Sequence, residues 1–369
     1  MSEIRVNNLS NESSTGGPTI SGITTFSGTN FFVPPVGSTA QRPQDPQKGA
    51  LRFNTDTKHL EYYRGDTIGW SEVEAIEAAP IGGRAVINLG DNGGGQTIDY
   101  ITISTTGNAL DFGDTPKKYY EATGLSNNTR GVFCGGTYGG EDGVMEFIEF
   151  ATLGNAVDFG DQAENNNCMG GVGDHVRGIM TGGASPASNI IQYITIPSKG
   201  NATDFGADQP FSGAYCGGIN DSTRGVQFGG RVSPFTAQNA MWYMTIQTTG
   251  IVNDFGDLQA ASHHVAGASS STRGVFGGGV SPTGTIISYA TIQSTGNAID
   301  FGDFTHNRQM TGGTANATRG VFVHGSSPAS NFISYVTIAT LGDAIDFGDT
   351  TGTTNSGIVM SNSHGGLSG

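Results

Sequence analysis

Two residue groups with chemical capacity recur along the chain. An aspartate opens the tripeptide Asp-Phe-Gly six times, with the phenylalanine at 112, 159, 205, 255, 301 and 347. An arginine followed by glycine recurs at Arg130, Arg177, Arg224, Arg273 and Arg319, and Gly83-Arg84-Ala85-Val86 is a weaker earlier copy. An aspartate in such a tripeptide can hold magnesium for phosphoryl transfer. That chemistry also needs a glycine-rich phosphate loop, a strand lysine and a His-Arg-Asp base, and none accompanies it. A tripeptide repeated six times reads instead as a structural part. The phenylalanine is expected to pack between repeated units, the glycine to allow close approach, and the aspartates to accept hydrogen bonds from turn N–H groups. The arginines are expected to cap carbonyls or to pair with an aspartate of a neighbouring unit. A ring of arginines holding an anion is the alternative.

The remaining candidates for chemistry are scattered. His175, His263, His264, His306, His324 and His364 fall in different copies, without His-Glu-x-x-His or other metal spacing. Asp-rich turns at 300–303 and 346–349 offer two carboxylates each, where calcium takes about six to eight oxygens. Cys134, Cys168 and Cys216 are odd in number and lack Cys-x-x-Cys spacing, which argues against a disulfide framework or a zinc site. No nucleophile elbow, phosphate loop or Asp-box (Ser-x-Asp-x-Gly-x-x-Trp) occurs. A glycosidase would need two carboxylates facing across a bond, and no acidic pair stands outside the repeat. No catalytic residue, metal ligand or cofactor is therefore assigned, and the chain is read as a non-enzyme.

Composition narrows the partners and the fold. Glycine is 60 of 369 residues, where an ordinary chain carries about 7%. Charged residues are 13%, about half the usual share. Glycine costs about 1 kcal/mol per helical position relative to alanine, so this composition favours short strands and tight turns over long helices. The net charge of −15 repels phosphate backbones and argues against nucleic acid as a partner. The N-terminus has no apolar signal core, and no apolar run reaches the roughly 18 residues that would suggest a membrane-spanning helix. Membrane insertion is not expected.

The elements that must position these residues follow from the repeat. Successive Asp-Phe-Gly phenylalanines are 47, 46, 50, 46 and 46 residues apart, and successive Arg-Gly arginines 47, 47, 49 and 46. Each copy reads as four short strands. Gly-Val-Phe is one, followed by a glycine pair. Ile-x-Tyr-Ile-Thr-Ile, as at 98–103 and 191–196, is the next, β-branched and aromatic. A Thr-Gly-Asn-Ala turn leads to a strand ending in Asp-Phe-Gly-Asp. A small-residue strand such as Met310-Thr-Gly-Gly precedes the next arginine. Four strands per unit of about 40–50 residues is the signature of a β-propeller. Crowding at a central channel would explain the small-residue strand. Six copies predict six blades. The first copy begins at its second strand near Arg84, and the segment 358–366 can supply the missing inner strand, leaving no open edge. An open stack of hairpins is the alternative. The glycine pair with a later aromatic resembles kelch repeats, although the usual kelch tryptophan is missing.

Comparing the copies separates two faces. The loops between strands 1–2 and 3–4 (Thr-Arg-Gly and Thr-Gly-Asn-Ala) are nearly constant. The loops on the other face vary: TPKKYY at 115–120, QAENNN at 162–167, RVSPFTAQN at 231–239, LQAASHH at 258–264 and FTHNRQ at 304–309. Variable loops on a rigid scaffold are where recognition usually sits. That face carries Lys117, Lys118, Tyr119, Tyr120, Tyr138, Phe211, Arg231, Phe235, His263, His264, His306 and Arg308, a mixture suited to a saccharide or protein surface. Drift without function is the bland reading of the same loops.

Residues 1–80 lack the repeat. Residues 7–50 are rich in Asn, Ser, Thr, Gly and Pro and cannot bury a core alone. We assign residues 1–48 as an extended arm, 49–80 as a small β-hairpin module (51–53 with 60–63, closed by Trp70) and 81–369 as the propeller. A lone hairpin is marginal in water, so Phe53, Tyr62 and Trp70 are expected to need a partner surface. Val36-Gly-Ser-Thr-Ala-Gln-Arg-Pro43, then Gly-Ala-Leu-Arg-Phe-Asn-Thr-Asp-Thr and Trp70, resembles a module of structural and fibre proteins of tailed bacteriophages. Val6-Asn-Asn-Leu-Ser with Ser21-Gly-Ile-Thr-Thr-Phe-Ser-Gly28 resembles the start of virion proteins of large phages of marine cyanobacteria. This resemblance covers residues 1–75. It implies attachment to a virion made in the host cytoplasm, so that the all-β, kelch-like propeller read from the repeat would be carried on the particle. Residues 1–80 would attach to other virion proteins, often as homotrimers; the resemblance is silent on the propeller's ligand, and contact with a host glycan or protein is expected from the variable face alone. A free-standing lectin or kelch-like interaction module is the main alternative, and a glycan-active propeller enzyme a further one.

Overall fold

The computed structural model describes residues 34–73, 83–90, 95–136, 143–167, 169–184, 187–280, 284–307, 309–325 and 329–367. Most of the arm expected over 1–48 lies outside them. The protein is all-β, with 3-10 turns and no α-helix among the described residues. It divides into two compact units, Met1–Ile76 and Glu77–Gly369.

In the first unit, Leu51–Asn54 and Leu60–Tyr63 pair antiparallel with Phe53 opposite Leu60. The hairpin is larger than expected from sequence. Trp70–Val73 adds as a third strand beside Leu60–Tyr63. Val36–Gly37 adds in parallel beside Leu51–Asn54, so chain before residue 49 belongs to the same sheet. Its centre is ionic. Glu61 is fully buried, with Arg42 at 2.6 Å and Arg52 at 3.3 Å and the Asn54 amide donating to it at 3.1 Å. The hydrogen bond from Arg42 holds its carboxyl below the usual range against the opposing effect of burial. Removing one partner of such a buried cluster costs more than the cluster contributes, because a charge is left unpaired. Trp70 lies 5.4 Å from Tyr63, ring centre to ring centre.

Among the described residues, the second unit carries six antiparallel sheets. In chain order their inner strands are Ile358–Ser361, Thr123–Ser126, Gly170–Gly173, Gly217–Asn220, Ala266–Ser269 and Met310–Ala315. The strands beside them begin at the repeated arginines: Arg84–Asn88, Arg130–Cys134, Arg177–Ala184, Arg224–Phe228, Arg273–Gly277 and Arg319–His324. The first sheet joins the two ends of the unit, with Met360 opposite Val86. Each inner strand touches that of the next sheet, and Ile358–Ser361 touches both Thr123–Ser126 and Met310–Ala315. The fourth sheet departs from the pattern. It carries two extra short strands, Gly213–Ala214 and Arg231–Val232, and its outer strand runs on as Asn253–Ser262. This is the copy in which the 46-residue interval stretches to 50.

One side-chain column repeats in all six sheets. The arginine guanidinium lies over the aromatic ring of the third strand, 4.1–4.9 Å from its centre, at Tyr100, Phe147, Tyr193, Tyr243, Tyr289 and Tyr335. That ring meets the Asp-Phe-Gly phenylalanine edge to face at 6.0–6.4 Å. Each of these phenylalanines is at most 2% exposed and packs toward the next sheet: Phe112 clusters with Phe133 and Phe150, Phe301 with Phe322, and Phe347 with Ala85 and Ile87. The core is thus a set of seams between successive sheets.

The same arginines cross those seams. Arg177 donates to the Ile246 carbonyl at 2.9 Å, Arg224 to Ile292 at 3.1 Å and Arg273 to Ile338 at 3.1 Å. Arg84 reaches Phe150, Arg130 reaches Pro197, and Arg319 reaches back to Ile103. The partners are carbonyls, not aspartates. At the Asp-Phe-Gly corner, Asp204 accepts from the Gly206 N–H at 2.9 Å as expected, whereas the other five copies use a different bond. The second aspartate donates through its backbone N–H, and the asparagine of the next sheet's turn accepts, as from Asp114 to Asn155 and from Asp257 to Asn297 at 3.0 Å. At one corner an aspartate takes the same place, Asp343 accepting from the Asp303 N–H at 3.0 Å. Where the turn reads Gly250-Ile251 instead of Gly-Asn, no such bond forms, and Ile251 is exposed.

Gly302 and Gly296 separate backbone freedom from close approach. Both have positive φ, 154° and 158°. A Cβ at 302 would lie 2.4 Å from the Gly342 carbonyl oxygen, whereas one at 296 would meet nothing within 4 Å. Gly302→Ala is expected to cost about 1–3 kcal/mol more than Gly296→Ala, measured by guanidinium unfolding. Equal losses would mean that the seam does not depend on that approach.

Candidate ligand-binding face

The channel between the inner strands has unlike ends. At the constant-loop end, a cavity of about 70 Å³ is lined by Ser126, Gly173, Asn220, Ser269, Thr314 and His364, among others. The C-terminal turn Gly365–Leu367 is buried here. His364 sits across this end, its Nε2 at 2.9 Å from the Ser126 carbonyl and its Nδ1 accepting from the Gly366 N–H at 3.2 Å. That pair of bonds requires the neutral, Nε2-protonated tautomer. Burial pushes the His364 pKa down to about 4.

At the variable-loop end, a cavity of about 90 Å³ is lined by Glu121, Tyr215, Cys216, His264 and Ser356, among others. Glu121, Tyr215, His264 and Ser356 have φ of 56°, 61°, 58° and 52°. Each stands two residues before an inner strand. A left-handed backbone at a non-glycine residue costs on the order of 1 kcal/mol and persists where surrounding structure enforces it. The chain must turn sharply here to enter the channel wall, which places four side chains around the opening.

The fourth sheet and the loop after it form the densest cluster. Tyr215 stacks on His264, ring centres 4.0 Å apart. His263 and His264 approach through their Nδ1 atoms at 2.6 Å, which requires one nitrogen to donate and the other to accept. Burial, followed by the neighbouring His263 and Arg231, pushes His264 down to about 3, and burial also lowers His263. Arg231 lies over Tyr215 at 4.7 Å and over Phe235 at 4.6 Å. Phe235 is 76% exposed. Burial pushes the Cys216 thiol up to about 12, so it is a packed group and not a nucleophile at neutral pH.

The structure sorts the residues expected on this face. Arg231, Phe235, His263 and His264 come together. Tyr119 is fully buried, donates to Glu146 at 2.9 Å and packs against Phe133; it anchors its loop and is not available to a ligand. Phe211 is half-buried edge-on against Trp242 at 5.2 Å and does the same. Lys117 donates to the Val144 carbonyl at 3.1 Å over the Tyr119 ring. Lys118 is exposed and Tyr120 half-buried. His306 is exposed and stacks on Phe332 at 4.9 Å, away from the Arg231 cluster. Tyr138 and Arg308 lie outside the described residues.

Tyr215 was not foreseen, though the longest repeat interval and the inserted Arg-Val-Ser-Pro-Phe mark its copy. The loop anchors were missed as well. The third strands of the first three sheets carry a buried polar group that fastens the preceding sheet's loop: Asp99 accepts from Thr351, Glu146 from Tyr119, and Gln192 bonds to Ala163 and Glu164.

Among the described residues, no group of three His, Cys, Asp or Glu side chains is placed to hold a metal ion. The chain matches no protein-family model and no curated protein.

The three depressed imidazoles, His263, His264 and His364, set a pH dependence. An unfolded chain takes up their protons below about pH 6.5, where the folded protein still excludes them, so their contribution to stability is lost as pH falls from 7 toward 4. His364→Gln is expected to flatten the unfolding free energy over this window, measured by denaturant titration at each pH. An unchanged slope would mean that His364 titrates in the fold as an exposed imidazole does.

Proposed function

We propose that residues 81–369 are a closed six-bladed, kelch-like β-propeller. We further propose that the chain is a bacteriophage virion protein, a fibre or appendage component joined to the particle through residues 1–80. The propeller then projects its variable face toward the host surface, to a glycan or a protein, and performs no catalysis. The closed ring is supported by three contacts between the last sheet and the first: Arg319 to the Ile103 carbonyl, Gly107 N–H to the Phe347 carbonyl, and Asn108 to the Asp349 N–H. Particle averages viewed down the channel should show six radial densities. Five, seven or an open arc would overturn the blade count.

The virion role is carried by the phage-like motifs within residues 1–75. The unequal ends of the channel fit it: the C-terminal turn occupies one, while the inserted hairpin and the strained ring stand at the other. A free-standing lectin would use the same face, and the exposed Phe235 favours that reading equally. Attachment decides between them. Deleting residues 1–80 should abolish incorporation into particles and leave a folded propeller. Normal incorporation of the deletion would sink the virion role, and the expected homotrimer is checked by light scattering of the full chain.

A further inference from the structure

Arg231 stands apart from the arginines of the repeat. Each of those six spends its guanidinium on a carbonyl of the next sheet. Arg231 has no carbonyl or carboxylate partner among the described residues. Its contacts are two ring faces, Tyr215 at 4.7 Å and Phe235 at 4.6 Å. Stacking occupies the flat of a guanidinium and leaves the in-plane N–H fork to bind something else. The chain around it has a net charge of −15, so a cation without an ionic partner here is not a product of general basicity.

Two further features adjoin it. Phe235 sits at the tip of the short hairpin between Arg231–Val232 and Thr236–Thr245, 76% exposed. A cavity of about 180 Å³ opens beside that hairpin, walled by Gly183, Ala184 and Ala187 of the third sheet and by Ser212, Gly213, Arg231, Ser233, Pro234 and Phe235 of the fourth sheet and its loops. Small residues keep this wall shallow and its backbone reachable.

We propose that Arg231, Phe235 and this cavity form a subsite for one carboxylated sugar ring, a uronic-acid residue of a surface polysaccharide. The guanidinium fork matches a carboxylate in two parallel hydrogen bonds. The apolar C–H face of a pyranose lies on an exposed aromatic ring, and the ring hydroxyls meet Ser212, Ser233 and backbone groups. One cation is the right charge for one carboxylate. A phosphate ester would call for more positive charge, and the neighbouring imidazoles are held neutral by burial. The subsite rests on the proposal that this face contacts the host surface.

The test is calorimetric and NMR titration of the full chain with oligogalacturonate, and with the neutral galactose oligomer of the same linkage. Binding of the acidic oligomer, at least tenfold over the neutral one, is expected. Arg231→Ala and Phe235→Ala should each weaken it tenfold or more. Arg231→Lys should also lose several-fold, because an ammonium lacks the fork. Circular dichroism and melting temperature should stay unchanged in all three, since neither side chain supports the scaffold. If galacturonate, glucuronate and mannuronate oligomers all fail to bind, the proposal is overturned. It is equally overturned if Arg231→Ala binds undiminished, or if inorganic phosphate competes at the same concentration as the sugar acid. Binding is read on the purified protein, so its failure leaves the particle-incorporation result standing, and the converse also holds.

Discussion

A sheet of four short strands buries too little to stand alone, and each sheet of this unit therefore depends on what crosses its seam with the next. The crossing group is the repeated arginine. It lies over an aromatic ring of its own sheet and donates to a carbonyl of the next, so one side chain ties two sheets. A cation over an aromatic face contributes about 0.5–2 kcal/mol, and a hydrogen bond to a charged group about 1.5–3 kcal/mol. Repeated at six seams, such contacts form a coupled system in which the first and last sheets are held by the same bond as any other pair. The buried phenylalanine supplies the apolar part of each seam, and a turn asparagine satisfies the backbone N–H at four of the outer corners, an aspartate at a fifth.

That regularity makes its interruptions informative. At the seam between the third and fourth sheets, the turn asparagine is replaced by Ile251, and the Gly206 approach loosens to 3.8 Å from Gly250. The fourth sheet also carries Trp242 where the other sheets have a polar residue. The extra hairpin, the Tyr215–His264 stack and the exposed Phe235 all belong to this region. A scaffold stitched at five other seams can tolerate one irregular seam, and that is where side chains are released from structural duty.

The strained ring at the channel opening adds a second constraint. Glu121, Tyr215, His264 and Ser356 are left-handed because the chain leaves a loop and enters a strand wedged against its neighbours. Their conformation is imposed by the inner-strand packing, and it aims different side chains from four sheets into one opening. The other end is occupied by the chain's own tail through His364. The two faces are therefore chemically unequal even though the sheets are alike.

The repeat, its strand pattern and the all-β class were legible in the sequence because each copy carries its own local signals: β-branched runs, Gly-Asn turns and paired glycines at a constant interval. The pairing of the tail segment with the Arg84 strand could be anticipated, because one strand was missing from the first copy and one was left over at the end. The roles of Tyr119 and Phe211 could not. An aromatic in a variable loop reads the same whether it faces solvent or plugs its own loop, and only the buried Glu146 and Trp242 on strands distant in sequence decide between the two. The bonds of the Asp-Phe-Gly corner were likewise hidden, since the asparagine that accepts belongs to the next copy, as Asn155 does for Asp114. Sequence alone determined what repeats and where the repeat breaks, because those are properties of local order along the chain. Tertiary structure alone decided which of the released side chains meet, bringing Tyr215, Arg231, Phe235 and His264 to one place, because that depends on how neighbouring sheets and their loops pack across a seam.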